Sequence, residues 1–142
     1  MIEIGDLGAA YYSRAGYRGY FDMDFNVGRG GRLFLSESNV RRTGGTHVYH
    51  LARSFFGEDF LDKSYIISSN SRRLENAPRS FNEALRRLAP VVFNKQTKEG
   101  VVLCSASKLA QSEVAFVVFG RDREHAERLE REMEMLLGAE LA

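Results

Sequence analysis

The run Val114-Ala115-Phe116-Val117-Val118-Phe119 constrains the fold of this chain more than any other feature. A β-strand sends successive side chains to opposite faces, so an unbroken apolar run needs cover on both of them. The segment is therefore expected to be a central strand. It is the longest apolar stretch in the 142 residues and far too short to span a bilayer, which takes about 20 apolar residues.

A second strand has the opposite character. In Phe21-Asp22-Met23-Asp24-Phe25-Asn26-Val27 apolar and polar residues alternate strictly, the pattern of a strand with one buried face. Gly28-Arg29-Gly30-Gly31 follows, and then the apolar run Arg32 to Ser36. Two such runs joined by glycines read as a β-hairpin, because glycine supplies the positive φ angles of the turn. Ser64 to Ser69 and Val101 to Ala106 have the β-branched and aromatic content of further strands, with Val91 to Phe93 as a short one between them. His47 to Phe56 reads as either a third strand or a short helix.

Two helices stand out. For the first, about 77–88, Asn76 is the expected N-cap, Pro78 falls in the first turn, and Phe81, Leu85 and Leu88 repeat at helical spacing until Pro90. For the second, 123–137, Asp122 is the expected N-cap and Gly138 the C-terminal glycine. Ala126, Leu129, Met133, Leu136 and Leu137 form its apolar stripe. The expected fold class is α+β: a mostly antiparallel sheet with these two helices packed on one face, residues 1–142 forming a single globular domain. A domain of this length buries roughly 68–70% of its unfolded surface, so it needs no covalent staple.

Charge is balanced, 20 Lys+Arg against 19 Asp+Glu, and evenly spread over both halves of the chain. That removes the broad positive field that draws proteins to nucleic acid or anionic bilayers. The single cysteine excludes an intrachain disulfide and fits a reducing compartment, so the expected location is the cytoplasm. Met1 to Ala10 carries Glu3 and Asp6 without a basic flank and is not expected to be a secretory signal.

The polar face of the alternating strand presents Asp22, Asp24 and Asn26, spaced about 7 Å apart. These are suitable hard ligands, and the row opens like a calcium-binding EF-hand loop. The match fails at its sixth and twelfth positions, where Val27 and Leu33 replace the glycine and the bidentate glutamate. A solvated strand face explains the row better, and no metal site is assigned to it. His47 and His50 would share one side of a helix but not of a strand, and no Cys or His nearby completes a zinc site. His125 is expected in the solvated first turn of the last helix.

Cys104, inside Val102-Leu103-Cys104-Ser105-Ala106, is expected to act as a small buried hydrophobe. Ser105 and Ser107 lack a nucleophile elbow, and the glycines at 28, 30 and 31 are followed by a strand rather than the helix a phosphate loop needs. No catalytic residue and no cofactor site is assigned. Arginine outnumbers lysine 16 to 4, and the pairs Arg41-Arg42, Arg72-Arg73 and Arg86-Arg87 could contact phosphates. Solvated surface arginines are the better reading, since the signatures of known nucleic-acid modules are missing.

From Phe60 to Leu137 the order of features resembles the soluble part of a family of membrane-anchored bacterial proteins of unknown function. The resemblance rests on Phe60-Leu61-Asp62-Lys63-Ser64-Tyr65-Ile66-Ile67-Ser68-Ser69-Asn70, on Ala84-Leu85-Arg86-Arg87-Leu88, on the strand pair, and on the Glu-rich closing helix. It implies an intracellular interaction or sensing domain and transfers no catalytic residue. The transmembrane helices that family carries before the domain have no counterpart in this sequence.

The leading expectation is a non-enzymatic binding, interaction or sensing domain, as the soluble part of a larger or membrane-associated system. Its expected partner is another protein or a second copy of the chain, with nucleic acid disfavoured and the membrane approached only indirectly. Two alternatives stand beside it. One is a small enzyme with a site assembled from dispersed polar residues such as Asp22, Asp24 and His50, and the other is an arginine-mediated nucleic-acid binder.

Overall fold

The structure, a computed structural model, describes residues 2–138. The fold is α+β, and internal contacts group the chain into two compact units, Met1–His47 and Val48–Ala142.

The first unit begins with a helix, α1 (Ile2–Arg14), an element not expected from the sequence. Gly5 and Gly8 lower helix propensity, each by about 1 kcal/mol relative to alanine. Tertiary packing accounts for one of them: a Cβ on Gly8 would lie 2.6 Å from Sδ of Met23. Tyr12 anchors the same face, its ring edge-on to Phe21 and its hydroxyl 2.6 Å from Ser38 Oγ. The hairpin itself is as expected, β1 (Asp22–Val27) pairing antiparallel with β2 (Leu33–Asn39). Its connection is a short 3₁₀ turn in which Gly30 and Gly31 take φ of 77° and 76°. A bulge in β2 at Ser36 shifts the register between Asp24 and Phe25.

Residues 44–56 are helical, α2 (Gly44–Phe56), which decides the open choice between strand and helix. The deciding signal is a helical period, Val48, Leu51, Ala52 and Phe55, with these residues gathered around Val117 and Phe119. A short helix α3 (Phe60–Lys63) leads into β3 (Tyr65–Arg73). Helix α4 (Phe81–Arg87) then precedes β4 (Gly100–Ser105), β5 (Glu113–Gly120) and α5 (Arg123–Leu137).

These strands form an antiparallel sheet in the order β3-β5-β4, with β5 in the centre. The two faces of β5 serve two cores, as its apolar run requires. Val114, Phe116 and Val118 meet α4 and α5 through Ala84, Leu88, Ala126, Leu129, Met133 and Leu137. Val117 and Phe119 meet α2 through Ala52 and the ring of Phe55. The two main helices thus lie on one face as expected, and α2 closes the other.

Three local expectations are corrected. Helix α4 begins later than residue 77: Ser80, not Asn76, is its N-cap, with Oγ accepting from the Glu83 N–H at 3.2 Å and the Glu83 carboxylate accepting from the Arg79 N–H at 2.9 Å. Ser-x-x-Glu is a capping-box spacing, so the sequence does carry the cap signal, four residues downstream of Asn76. The buried side of α4 is Ala84 and Leu88, while Phe81 and Leu85 are exposed. Residues 91–94 contribute only isolated bridges, Val92 with Val101 and Asn94 with Glu99, rather than a strand. Among the described residues no helix is long and apolar enough to cross a membrane.

Candidate functional site

Within the second unit, the chain between α4 and β4 folds back as a tight loop. Asn94 Oδ1 accepts from the N–H groups of Gln96 (2.7 Å) and Thr97 (3.4 Å), and Asn94 N–H donates to Glu99 O at 2.9 Å. Its close fit depends on Gly100, whose φ is 119°. A Cβ there would lie 2.7–2.8 Å from Val91 O, Val92 O and Phe93 Cα. This loop and the first turns of α5 enclose a half-open cleft of about 510 Å³. Its polar lining comes from Asn94, Thr97, Glu99 and His125, and Val91 and Leu129 contribute apolar surface.

His125 reaches the cleft because of how α5 starts. Asp122 caps the helix as expected, Oδ1 accepting from the His125 N–H at 2.8 Å. The first turn lies hard against the end of β5: a Cβ on Gly120 would lie 2.6 Å from Ala126 N and 2.8 Å from Ala126 Cα. His125 is consequently 7% exposed. This corrects the expectation of a solvated side chain, which followed from its place in a helical first turn without regard to what that turn packs on.

Two charged groups converge at the ring. Arg121 Nη1 lies 3.1 Å from His125 Nδ1, and Glu99 Oε1 lies 3.6 Å from both Nδ1 and Arg121 Nη1. A guanidinium has no acceptor, so the Arg121 bond requires Nδ1 to accept and places the ring proton on Nε2. In that tautomer His125 presents a donor at Nε2, beside a carboxylate acceptor. A cleft that pairs a fixed donor with a fixed acceptor against an apolar wall can orient a small polar ligand.

The residues singled out from the sequence lie elsewhere. Asp22, Asp24 and Asn26 sit on β1, opposite Asn39, Glu37 and Phe34. Asp22 is half-buried, with Oδ1 lacking a hydrogen-bond partner, and Asp24 and Asn26 are exposed. Asp24 faces the like charge of Glu37. Among the described residues no group of three or more His, Cys, Asp or Glu side chains is gathered as a metal site. His47 and His50 both lie on α2, half-buried and exposed respectively.

Cys104 on β4 packs against the core around Phe119, and burial pushes its thiol above the usual range. The arginine pairs are partly committed to the fold. Arg72 pairs with Glu130 at 3.2 Å and Glu134 at 3.1 Å, Arg87 with Glu83 at 2.5 Å, and Arg41 donates to Asn39 Oδ1 at 2.9 Å.

Sequence reasoning missed Glu99, Arg121 and the burial of His125. Glu99 and His125 are remote in sequence, and no spacing rule links a loop residue to the N3 position of a later helix. The one local hint was Gly120, which permits the close approach of the capped helix to the strand before it. Comparison with protein-family models finds no match, and neither does comparison with curated proteins.

Proposed function

We propose that the chain is a non-catalytic binding or sensing domain that holds a small polar ligand in the cleft beside His125. The observation that carries this reading is the Arg121–His125 bond. By occupying Nδ1 it leaves Nε2 protonated, which makes the imidazole a hydrogen-bond donor and leaves it no free nitrogen to act as a base. The complementary ligand offers an acceptor to His125 and a donor to Glu99, as an amide or an α-amino acid does. The cleft volume of about 510 Å³ lies within the range of small-molecule sites, about 300–1,000 Å³.

The resemblance of residues 60–137 to the soluble part of a membrane-anchored family supports a sensing role within a larger or membrane-associated assembly. Cytoplasmic location belongs to the same proposal, supported by the single cysteine. Commitment of Arg72 and Arg87 to internal carboxylates weighs against an arginine-mediated nucleic-acid binder.

A thermal-shift series with amino acids, short peptides and simple amides tests the reading. A ligand held by the native state raises Tm, and the rise should vanish in His125→Ala and Glu99→Gln. A rise that survives both substitutions places the ligand elsewhere. A second reading, a small enzyme, takes the other tautomer, in which Nδ1–H faces Glu99 at 3.6 Å as it would an orienting carboxylate and Nε2 is left as the base. It requires hydrolysis of an activated ester such as p-nitrophenyl acetate above background, abolished in His125→Ala. Equal rates in the two proteins would dismiss it.

A further inference from the structure

We infer a second ligand site on the other side of the Asn94–Gly100 loop, one that takes a small anion carried on an apolar or aromatic body. The site is a cleft of about 310 Å³ lined by Ser54, Phe55, Phe93, Lys95 and Lys98. It shares only Phe93 with the cleft at His125, and its chemistry is the reverse. The first cleft carries a carboxylate, and among the described residues the only charges lining the second are two ammonium groups.

Neither lysine is neutralised from within the fold. Among the described residues, Lys95 and Lys98 have no carboxylate within ion-pair distance, whereas Lys63 and Lys108 are paired with Asp59 and Glu113. Lys98 is instead directed over the ring of Phe56, its Nζ 5.7 Å from the centroid. That contact leaves the charge uncompensated, since a ring quadrupole attracts a cation without cancelling it. Between them the stacked rings of Phe55 and Phe93, 4.4 Å apart and inclined by 20°, give the cleft a flat apolar wall. Ser54 adds a hydroxyl able to donate to an anion.

The backbone points the same way. Lys98 adopts φ 58°, a left-handed conformation that asparagine and glycine take readily and that costs other residues about 1 kcal/mol or more. The turn alone would be better served by either of those residues. A lysine held there supplies a charge that the loop geometry does not need.

Phenyl phosphate is the probe, with inorganic phosphate and benzyl alcohol separating the contributions of the anion and the ring. Titration of the full chain followed by amide chemical shifts should give saturable shifts at residues 54, 55, 93, 95 and 98 with phenyl phosphate. Weaker binding is expected with phosphate and none with benzyl alcohol. Lys95→Ala and Lys98→Asn should each weaken phenyl phosphate by about fivefold, the factor a single charge at about 4 Å contributes in water. Lys98→Asn keeps the left-handed turn, so its loss of binding cannot be ascribed to unfolding. His125→Ala should leave this affinity unchanged, which separates failure here from failure of the first cleft. The inference is overturned by the absence of saturable shifts with phenyl phosphate at millimolar concentration. Unchanged affinity in the double lysine variant, or benzyl alcohol binding as tightly as the anion, overturns it equally.

Discussion

Substituting Gly100 by alanine should be among the most damaging single-methyl additions available in this chain. Two independent costs meet at that position. The first is conformational: φ of 119° is a region that L side chains avoid, and holding one there costs about 1–3 kcal/mol. The second is steric: the added carbon would lie 2.7–2.8 Å from three backbone atoms of residues 91–93, which cannot rotate away as a side chain could. Overpacking of this kind adds about 1–3 kcal/mol. Together they come to about 2–6 kcal/mol, a large share of the 5–15 kcal/mol typical of a domain's stability. At an unfolding entropy of about 2 cal/mol/K per residue, each kcal/mol lowers Tm by about 3 °C in a chain of this size, so the drop should be about 6–18 °C. Urea unfolding followed by circular dichroism measures the same loss as a lowered midpoint at unchanged slope. Gly30→Ala is the control, with φ of 77° and nothing within 4 Å of the new carbon. It should lose about 1 kcal/mol, the conformational cost alone. If Gly100→Ala cost no more than Gly30→Ala, the close fit of the loop against Gly100 would be refuted, and with it the shape of the cleft.

Removing the Arg72 guanidinium strands Glu134, which is 8% exposed, so Arg72→Ala should cost about 2 kcal/mol in urea unfolding. The figure sits below that of a fully buried pair because Arg72 is itself partly solvated, and a loss under about 0.5 kcal/mol would show the pair to be a surface one. Cys104, its thiol raised by burial, should react slowly with iodoacetamide at neutral pH and speed up as urea opens the fold. Immediate labelling of the native protein would contradict its packing against β5. Glu83 is held below the ordinary carboxylate range, first by the Arg79 N–H and then by Arg87, and Asp59 is held down by Lys63. A depressed carboxylate stabilises the fold above its unfolded pKa, near 4.5 for Glu83, and that contribution is lost as pH falls through the folded value. The acid limb of Tm against pH should therefore be shallower in Glu83→Gln than in the parent, and identical limbs would argue against the capping contact.

Much of the fold was legible in local pattern. The apolar run of β5, the alternation of β1 and the Asp122 cap each depend on neighbours a few residues away, and each stands where expected. Local pattern misled where a residue's best local role was overridden by packing. Helix α1 was not expected, and Gly8 within it is accounted for only by its close approach to Met23. Asn76 has the chemistry of a cap, but Ser80 and Glu83 together satisfy the N–H groups of Glu83 and Arg79 and start the helix there. Phe81 and Leu85 read as a buried stripe, yet the side of α4 that meets α5 is the one bearing Ala84 and Leu88.

The sequence by itself therefore determined the α+β class, the central strand with both faces covered, the glycine hairpin and the closing helix with its caps. Periodicity, capping and turn chemistry act over a few residues, which is why they can be read in one dimension. Tertiary structure alone decided the site. Only the docking of α5 on Gly120 buries His125, and only the return of the loop at Gly100 brings Glu99 within 3.6 Å of it. Burial and charge proximity are properties of packing, and no local pattern in the chain encodes which distant groups will share a cleft.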